Sequence, residues 1–183
     1  MQKRCEWCLK DDLYKTYHDE VWGKPVYDDK ELFEYLNLEG AQAGLSWYTI
    51  LKRIDSYEKA FQGWDIKRIA KYGDKDIKRL LADVGIIRNK LKVHAVIQNA
   101  NAYLEMTETQ SLSDFLWAYV DGTPIMNNPK TMADIPSQTP LSNQISKDLK
   151  KLGFKFVGPT IIYAFMQAVG MVDDHVVDCW VKH

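Results

Sequence analysis

Apolar residues recur with helical spacing along most of the chain, which predicts an all-α fold. In the segment that begins at Asp29, a residue type that favours a helix start, Leu32, Phe33 and Leu36 share one face. Glu39 follows about one turn later on or near that face. The same reasoning predicts further helices over residues 46–61, 74–84, 88–105, 113–119, 142–152 and 159–169. No pair of alternating strands is joined by a hairpin turn.

Residues 123–140 are rich in proline, so we predict a loop there. The segment is short and carries little charge, which favours a connection between helices over a domain boundary. No internal repeat interrupts the chain. A length of 183 residues suits one domain or two tightly packed lobes, and we expect a single domain over residues 1–183.

Composition narrows the class of protein. A hydrophobic fraction of 46% with 27% charged residues is typical of a globular core with a polar surface. No apolar run approaches the roughly 20 residues of a membrane span, and the first residues lack the apolar stretch of a signal peptide. We therefore expect a cytoplasmic protein without a membrane partner. The net charge of −1 lacks the basic balance of many DNA binders, but residues 142–160 carry a local +3.

The basic segment contains a short turn, residues 152–159, between the last two predicted helices. Gly153 and Gly158 bracket it, and glycine lets a backbone bend tightly and approach another molecule closely. Unpaired N–H groups at the start of the second helix can point at a phosphate, and Lys155 adds positive charge. This arrangement can grip a nucleic acid backbone without reading bases. An ordinary connection between two helices is the alternative interpretation.

Cysteine and histidine residues cluster near both ends of the chain: Cys5, Cys8 and His18, then His175 and Cys179. Three cysteines cannot all pair, and a reducing compartment disfavours disulfides. On a helix, His175 and Cys179 would face one ion. Two ligands from each end would hold zinc tetrahedrally, and a site with four protein ligands is structural. Cys8 can replace Cys5 or His18 in this scheme, and buried thiols without a metal are the alternative.

Many aromatic residues lie in the first third of the chain. A packed aromatic core is one interpretation, and a pocket for a flat ligand is the other. The residues are Trp7, Tyr14, Tyr17, Trp22, Tyr27, Tyr35, Trp47, Tyr48 and Tyr57.

Taken together, the motifs resemble the 3-methyladenine DNA glycosylase I family. The matching segments are Arg4-Cys5-x-Trp7, Leu13-Tyr14-x-x-Tyr17-His18-Asp19, Trp22-Gly23-x-Pro25, Leu38-Glu39-Gly40-x-Gln42-Ala43-Gly44-Leu45-Ser46-Trp47, Gly85-Ile86-Ile87-Arg88, Gly153-Phe154-Lys155-Phe156-Val157-Gly158 and Asp174-His175-Val176-Val177. They extend over essentially the whole chain. The segment from Leu38 to Trp47 is the most specific of them.

The resemblance implies a helix–hairpin–helix glycosylase fold whose terminal segments are tied by one structural zinc ion. It implies a base pocket with Glu39 as the catalytic carboxylate and DNA backbone contacts in the hairpin. The implied zinc ligands are Cys5, His18, His175 and Cys179, which leaves Cys8 out. The implied substrate-binding residues are Tyr17 and Trp47, with Trp7, Tyr14 and Trp22 nearby, and the implied backbone contacts are Gly153, Lys155 and Gly158.

The function implied is excision of 3-methyladenine from alkylated double-stranded DNA, with free base and an abasic site as products. The sequence leaves the oligomeric state open, and a monomer is our default expectation. Methylation at N3 makes the base a cation, so a stack of aromatic rings and the carboxylate of Glu39 would prefer it to adenine. No lysine is placed for a Schiff base, which implies hydrolysis without strand cleavage. Asp173 and Asp174 lie near the place where many hairpin glycosylases carry a catalytic aspartate. The resemblance does not imply that role here, and orientation of His175 by either one is the alternative.

Two other functions are compatible with parts of the pattern. A zinc hydrolase would require an open coordination position on the metal. A non-catalytic DNA- or nucleotide-binding module would bind without releasing a base, and would not need Glu39.

Overall fold

The computed structural model describes residues 2–182, which are mostly helical, so the predicted helical class is confirmed. The α-helices are α1 (Asp12–Glu20), α2 (Asp29–Gln42), α3 (Trp47–Leu51), α4 (Ile54–Ala60), α5 (Ile66–Ile69), α6 (Asp74–Ala82), α7 (Lys90–Met106), α8 (Leu112–Trp117), α9 (Pro140–Lys151) and α10 (Pro159–Ala168). Short 3-10 turns cover Glu6–Cys8, Ala118–Val120 and Met132–Asp134. None of the helices in residues 2–182 combines the length and apolar character of a membrane span.

Helix α2 lies at the centre of the fold. It packs against α3, α7, α8 and α10, and its buried residues run almost without interruption from Leu32 to Ala41. Its start is fixed at Asp28, whose carboxylate accepts a hydrogen bond from the backbone N–H of Glu31. The neighbouring Asp29 accepts hydrogen bonds from the backbone of α8 instead. Because α2 is enclosed on several sides, Glu39 near its end is buried as well.

Several predicted helix boundaries differ from the observed ones. The predicted helix over residues 46–61 is divided into α3 and α4, which lets buried residues of both halves face the core. The helices predicted to start at Ser113 and Ser142 start earlier, because Ser111 caps α8 and Thr139 caps α9. Pro140 suits the first position of α9 because an N–H at that position has no acceptor within the helix, so proline loses no hydrogen bond there. The sequence pattern did not predict α1 or α5.

A small parallel pairing joins two distant segments. Strand β1 (Ile125–Met126) pairs with β2 (Val172–Asp173), with Ile125 opposite Val172 and Met126 opposite Asp173. Strands of two residues are too short for an alternating pattern, so the sequence did not predict them. The pairing holds the proline-rich connection beside the residues that precede His175.

The N- and C-terminal segments also meet. Lys3 forms an ion pair with Asp178, and the backbone carbonyl of Lys3 accepts a hydrogen bond of 2.9 Å from the N–H of Trp180. The guanidinium of Arg4 lies 5.7 Å from the centroid of the Trp180 ring. Cys5 and Cys179 lie close together beside these contacts.

Candidate active site and metal-ligand group

A cavity of about 360 Å³ opens between the N-terminal aromatic residues and α10, a volume typical of small-molecule sites. One wall contains all six residues predicted from the sequence to form the pocket, and the opposite wall is formed by α10 and by residues 132–137. The first wall consists of Trp7, Tyr14, Tyr17, Trp22, Glu39, Gln42 and Trp47, and the second of Met132, Ile135, Pro136, Ser137, Thr160, Tyr163, Ala164 and Gln167.

Glu39 contributes a buried carboxyl group to this cavity. The residue is 4% exposed, and its Oε2 atom has no hydrogen-bond partner among residues 2–182. Burial raises the pKa of Glu39 to about 8 because the charged form loses its hydration. Buried polar groups in folded proteins are nearly always paired, so an unpaired carboxyl group in a cavity wall marks a binding site for a ligand.

Trp47 contributes an unpaired donor to the same cavity. Its indole Nε1 is buried and also lacks a partner among the described residues. The ring lies 5.5 Å from that of Tyr17 at an angle of 41°. Burial raises the pKa of Tyr17 well above its usual value, so this phenol stays neutral. A flat ligand with both a donor and an acceptor would satisfy Glu39 and Trp47 together.

The corner between α2 and α3 positions both residues. The ammonium group of Lys92 donates hydrogen bonds to the backbone carbonyls of Ala41 at 2.8 Å and Ala43 at 2.6 Å. It thereby caps the carbonyl end of α2, where a positive charge is favourable.

The side chain of Leu45 in the following turn is 41% exposed although it is large and apolar. Sequence reasoning missed both Lys92 and Leu45.

A signal in the sequence could have located the second wall. Thr160, Tyr163, Ala164 and Gln167 follow helical spacing along α10, so they share one face, and three of them are polar in an otherwise apolar helix. Leu45 carries a signal too, because it is an apolar residue in a glycine-containing turn between two pocket residues.

Cys5, His18 and Cys179 form a buried cluster whose potential ligand atoms all lie within 4.8 Å of one another. The Sγ atom of Cys179 is 3.5 Å from Nε2 of His18. His175, the fourth predicted ligand, lies beside the cluster, with its ring centroid 4.9 Å from that of His18. Cys8 stays outside the cluster, and its thiol donates a hydrogen bond to the carbonyl of Cys5.

Both imidazoles are oriented by aspartates. Nδ1 of His18 lies 2.8 Å from Asp19, and Nδ1 of His175 lies 2.8 Å from Asp173. A carboxylate only accepts hydrogen bonds, so each Nδ1 carries the proton and each Nε2 keeps its lone pair for a metal. Nε2 of His175 is buried and has no partner in residues 2–182. The two Nε2 atoms are therefore suitable ligands for a zinc ion.

The protonation states of the cluster depend on what it binds. Burial raises the pKa of Cys5 to about 12 and that of Cys8 to about 11, so both are thiols at neutral pH in the absence of a cation. Burial lowers the pKa of His18 and favours the neutral imidazole that a metal requires. Burial acts to raise the pKa of Asp19, but hydrogen bonds from Arg4 and His18 outweigh it and hold that pKa low.

The two adjacent aspartates have different partners. Asp173 contacts His175, as expected. Asp174 makes other hydrogen bonds: its carboxylate accepts from Asn127, Tyr163 and Gln167 at 2.8, 2.6 and 2.8 Å. Tyr163 and Gln167 line the cavity, so Asp174 braces its second wall.

Residues 153–158, called the hairpin below, connect α9 to α10 as predicted. Gly153 has a φ of +92°, a conformation that favours glycine, and Gly158 precedes Pro159 at the start of α10. The side chain of Lys155 is exposed, whereas Phe154 and Val157 are buried. The backbone of the hairpin is therefore anchored while its lysine faces solvent.

Comparison with known proteins gives consistent matches along the whole chain. The model of the methyladenine glycosylase family matches residues 7–183. DNA-3-methyladenine glycosylase 1 of Escherichia coli (strain K12) is 48% identical over 178 residues, which covers 97% of this chain and 95% of that protein. A crystal structure of 3-methyladenine DNA glycosylase I is 47% identical, with a TM-score of 0.95 over 97% of this chain and 98% of that one.

A further solved structure concerns the recognition of 3-methyladenine by 3-methyladenine DNA glycosylase I from Staphylococcus aureus. It is 40% identical to this chain, with a TM-score of 0.95, and the match covers 98% of this chain and 96% of that one. The similarity therefore extends over nearly the whole chain.

Proposed function

The chain belongs to the methyladenine glycosylase family, and on this premise we propose that it excises 3-methyladenine from alkylated double-stranded DNA. The reaction is hydrolysis of the N-glycosidic bond, which releases the free base and leaves an abasic site for base-excision repair. The observation that carries this proposal is the buried, unpaired carboxyl group of Glu39 in a cavity lined by aromatic rings.

The cavity suits a flat cationic base. Aromatic ring faces attract a cation by about 0.5–2 kcal/mol, and Tyr17 and Trp47 supply such rings. The positive charge of the bound base lowers the pKa of Glu39 again from its raised value, so the group loses its proton when the base binds. As a carboxylate, it accepts a hydrogen bond from the exocyclic amine and favours the positively charged base over neutral adenine. The unpaired carboxyl group of Glu39 then has a partner.

The base has to leave the duplex before it reaches the cavity. Flipping a nucleotide costs a few kcal/mol, and less for a damaged base. We propose that the exposed apolar side chain of Leu45, in the turn between Gln42 and Trp47, fills the gap that remains in the duplex. Insertion of an apolar side chain between bases is a common device in proteins that deform DNA.

The chemistry needs little acid catalysis. The bonding electrons of the N-glycosidic bond pass to the cationic base, which departs as a neutral molecule, while the oxygen of water bonds to C1′ of the sugar and loses a proton. Positive charge develops on the sugar as the bond breaks. The negative charge of the Glu39 carboxylate stabilises it, and the effect is strong because the cavity excludes most water. No lysine lines the described cavity, in keeping with hydrolysis without strand cleavage.

We also propose one structural zinc ion per chain, held by Cys5, His18, His175 and Cys179. The orientation of both imidazoles, the unpaired Nε2 of His175 and the two thiols support this set. The ion would tie the terminal segments together. Four protein ligands would leave no coordination position for a reactive water, which argues against a zinc hydrolase.

The remaining features of the proposal concern DNA binding and organisation. The hairpin is the helix–hairpin–helix element that grips the DNA backbone, through Gly153, Lys155 and Gly158 together with the N–H groups at the start of α10. Residues 1–183 act as one domain and as a monomer, in the cytoplasm where the DNA lies.

The test is incubation of the purified protein with methylated double-stranded DNA, followed by chromatographic identification of the released bases. Selective release of 3-methyladenine that survives mild chelation with EDTA supports both the activity and a structural metal. Absence of any released base from a folded, zinc-loaded sample contradicts the proposal. In that case the protein is a DNA-binding module.

A further inference from the structure

A buried polar bridge joins the hairpin to α7. Asn99 of α7 is 2% exposed, and its side chain exchanges two hydrogen bonds with the backbone of Lys155. Its Oδ1 accepts from the N–H of Lys155 at 2.7 Å, and its Nδ2 donates to the carbonyl of Lys155 at 3.1 Å. The amide of Asn99 thus pairs with the hairpin as a neighbouring β-strand would. The backbone beneath the exposed lysine is held in one place.

The bridge continues into α2. Nδ2 of Asn99 also donates to Oδ1 of Asn37 at 2.9 Å, and Nδ2 of Asn37 donates to the carbonyl of Phe33 at 2.8 Å. Both amides are buried, so an alternative arrangement would leave polar atoms without partners. A buried network that is satisfied in one geometry specifies that geometry. Asn37 lies two residues before Glu39.

A second contact joins the same elements at the other side of Glu39. A Cβ atom added at Gly40 would lie 3.1 Å from Cβ of Phe156 and 3.2 Å from its carbonyl oxygen, so the hairpin rests directly on the backbone of α2. Phe156 has a φ of +54°, which is rare for an aromatic residue and persists only where surrounding contacts impose it. Glycine at position 40 therefore permits a close approach between the hairpin and the helix that carries Glu39.

We propose that Asn37 and Asn99 are positioning residues that hold the DNA-gripping hairpin in register with Glu39. The inference rests on the proposed function. A flipped base remains bonded to the backbone whose phosphates the hairpin grips, so the separation between hairpin and Glu39 decides how far the base enters the cavity. The bridge and the Gly40–Phe156 contact make that separation a fixed property of the fold.

The test uses Asn99→Leu, which removes the bridge while keeping a side chain of similar size. Gln98→Ala is the matched control, because Gln98 is exposed and donates to Gly153 of the same hairpin but does not reach α2. Three quantities are measured for each protein: the affinity for free 3-methyladenine by tryptophan fluorescence, the affinity for undamaged duplex DNA, and the single-turnover rate of base release.

We expect Asn99→Leu to lower the single-turnover rate by roughly tenfold to a hundredfold, since small misplacements of reacting groups have effects of that size. Both affinities should stay within about twofold of the wild type, because the cavity and the hairpin are each intact. The control should leave all three quantities unchanged. A wild-type rate in Asn99→Leu, or a parallel loss of all three quantities with the folded fraction, overturns the positioning role.

Gly40→Ala provides a second perturbation of the same junction if Asn99→Leu folds poorly. It keeps every polar group and requires the hairpin to move from α2 by a few tenths of an ångström, so it should show a selective loss of rate in the same direction. Unchanged base release in this variant would contradict the importance of the register. Failure of the wild-type protein to release any base contradicts the proposed function itself, so the two failures are distinguishable.

Discussion

The indole of Trp22 meets the imidazole of His175 edge to face, with ring centroids 4.6 Å apart at an angle of 75°. Trp22 lines the cavity, and His175 belongs to the proposed zinc ligands. Trp7 makes a similar link to His18, with centroids 5.3 Å apart. The cavity and the cysteine and histidine cluster therefore share a wall of aromatic rings. Loss of the proposed zinc ion would therefore disturb the cavity through this wall, although we propose no catalytic role for the ion.

The first prediction concerns the metal. Cys179→Ser should lower the zinc content and the melting temperature, by roughly 10 °C, because the ion no longer ties the terminal segments. Zinc is measured by elemental analysis and stability by calorimetry. Activity per folded molecule at low temperature should fall far less than stability.

Cys8→Ser is the matched control for Cys179→Ser. Cys8 is buried close to the cluster, but its thiol contacts only the carbonyl of Cys5 among the hydrogen-bond partners described. This variant should keep its zinc. If Cys8→Ser loses zinc and Cys179→Ser retains it, the proposed ligand set is wrong.

The second prediction concerns catalysis. Glu39→Gln should reduce base release by about 10²–10³-fold, the usual effect of removing a preorganised electrostatic group, while the fold and the DNA affinity are retained. Glu34→Gln is the control, because Glu34 lies on the same helix and burial also raises its pKa, to about 7, but it does not line the cavity. Near-normal turnover by Glu39→Gln would refute the assigned role.

The third prediction follows from the raised pKa of Glu39. Burial raises this pKa from 4.5 to about 8 in the folded protein, so the folded state holds a proton that the unfolded chain releases between these values. The titration of Glu39 therefore leaves the free energy of unfolding unchanged below pH 4.5 and lowers it as the pH rises from 4.5 to about 8. Glu39→Gln removes this decline. The difference in unfolding free energy between Glu39→Gln and the wild type should therefore grow in favour of the variant, by about 1 kcal/mol per pH unit across that window.

Denaturant titrations of both proteins at several pH values measure this difference. Glu34→Gln should give a difference of the same sign that stops growing near pH 7, because burial raises the pKa of Glu34 only to about 7. A pH-independent difference between Glu39→Gln and the wild type would show that the carboxyl group of Glu39 titrates near its ordinary value.

The fourth prediction concerns the turn between α2 and α3. Leu45→Ala should slow base release from duplex DNA by about tenfold, since an apolar side chain that fills the gap left by the base offsets part of the cost of flipping. Its affinity for free 3-methyladenine should be unchanged. Leu91→Ala is the control, because Leu91 is 71% exposed and does not line the cavity. Equal rates of base release from duplex DNA by Leu45→Ala and Leu91→Ala would show that Leu45 does not assist base flipping.

Local signals and their limits explain which features the sequence predicted. The buried face of α2 was predictable because Leu32, Phe33 and Leu36 follow the helical period. Helix α1 was not predicted, because its inward residues do not form a simple apolar face: Tyr14 and Tyr17 line the cavity, and His18 belongs to the cysteine and histidine cluster. The helix over residues 46–61 was predicted without its break, since spacing alone does not show where a chain turns to pack both halves.

The sequence by itself determined the helical class, the family and the residue types available for chemistry. Helical periodicity is a local property, and the segment from Leu38 to Trp47 is a long and specific match. Only the tertiary structure decided which distant residues meet: the wall that α10 places opposite Glu39, the aspartate that orients each imidazole, and the bridge from Asn37 through Asn99 to Lys155. Periodicity shows which face of a helix is buried but not which partner covers it, and those partners come from segments far apart in the chain.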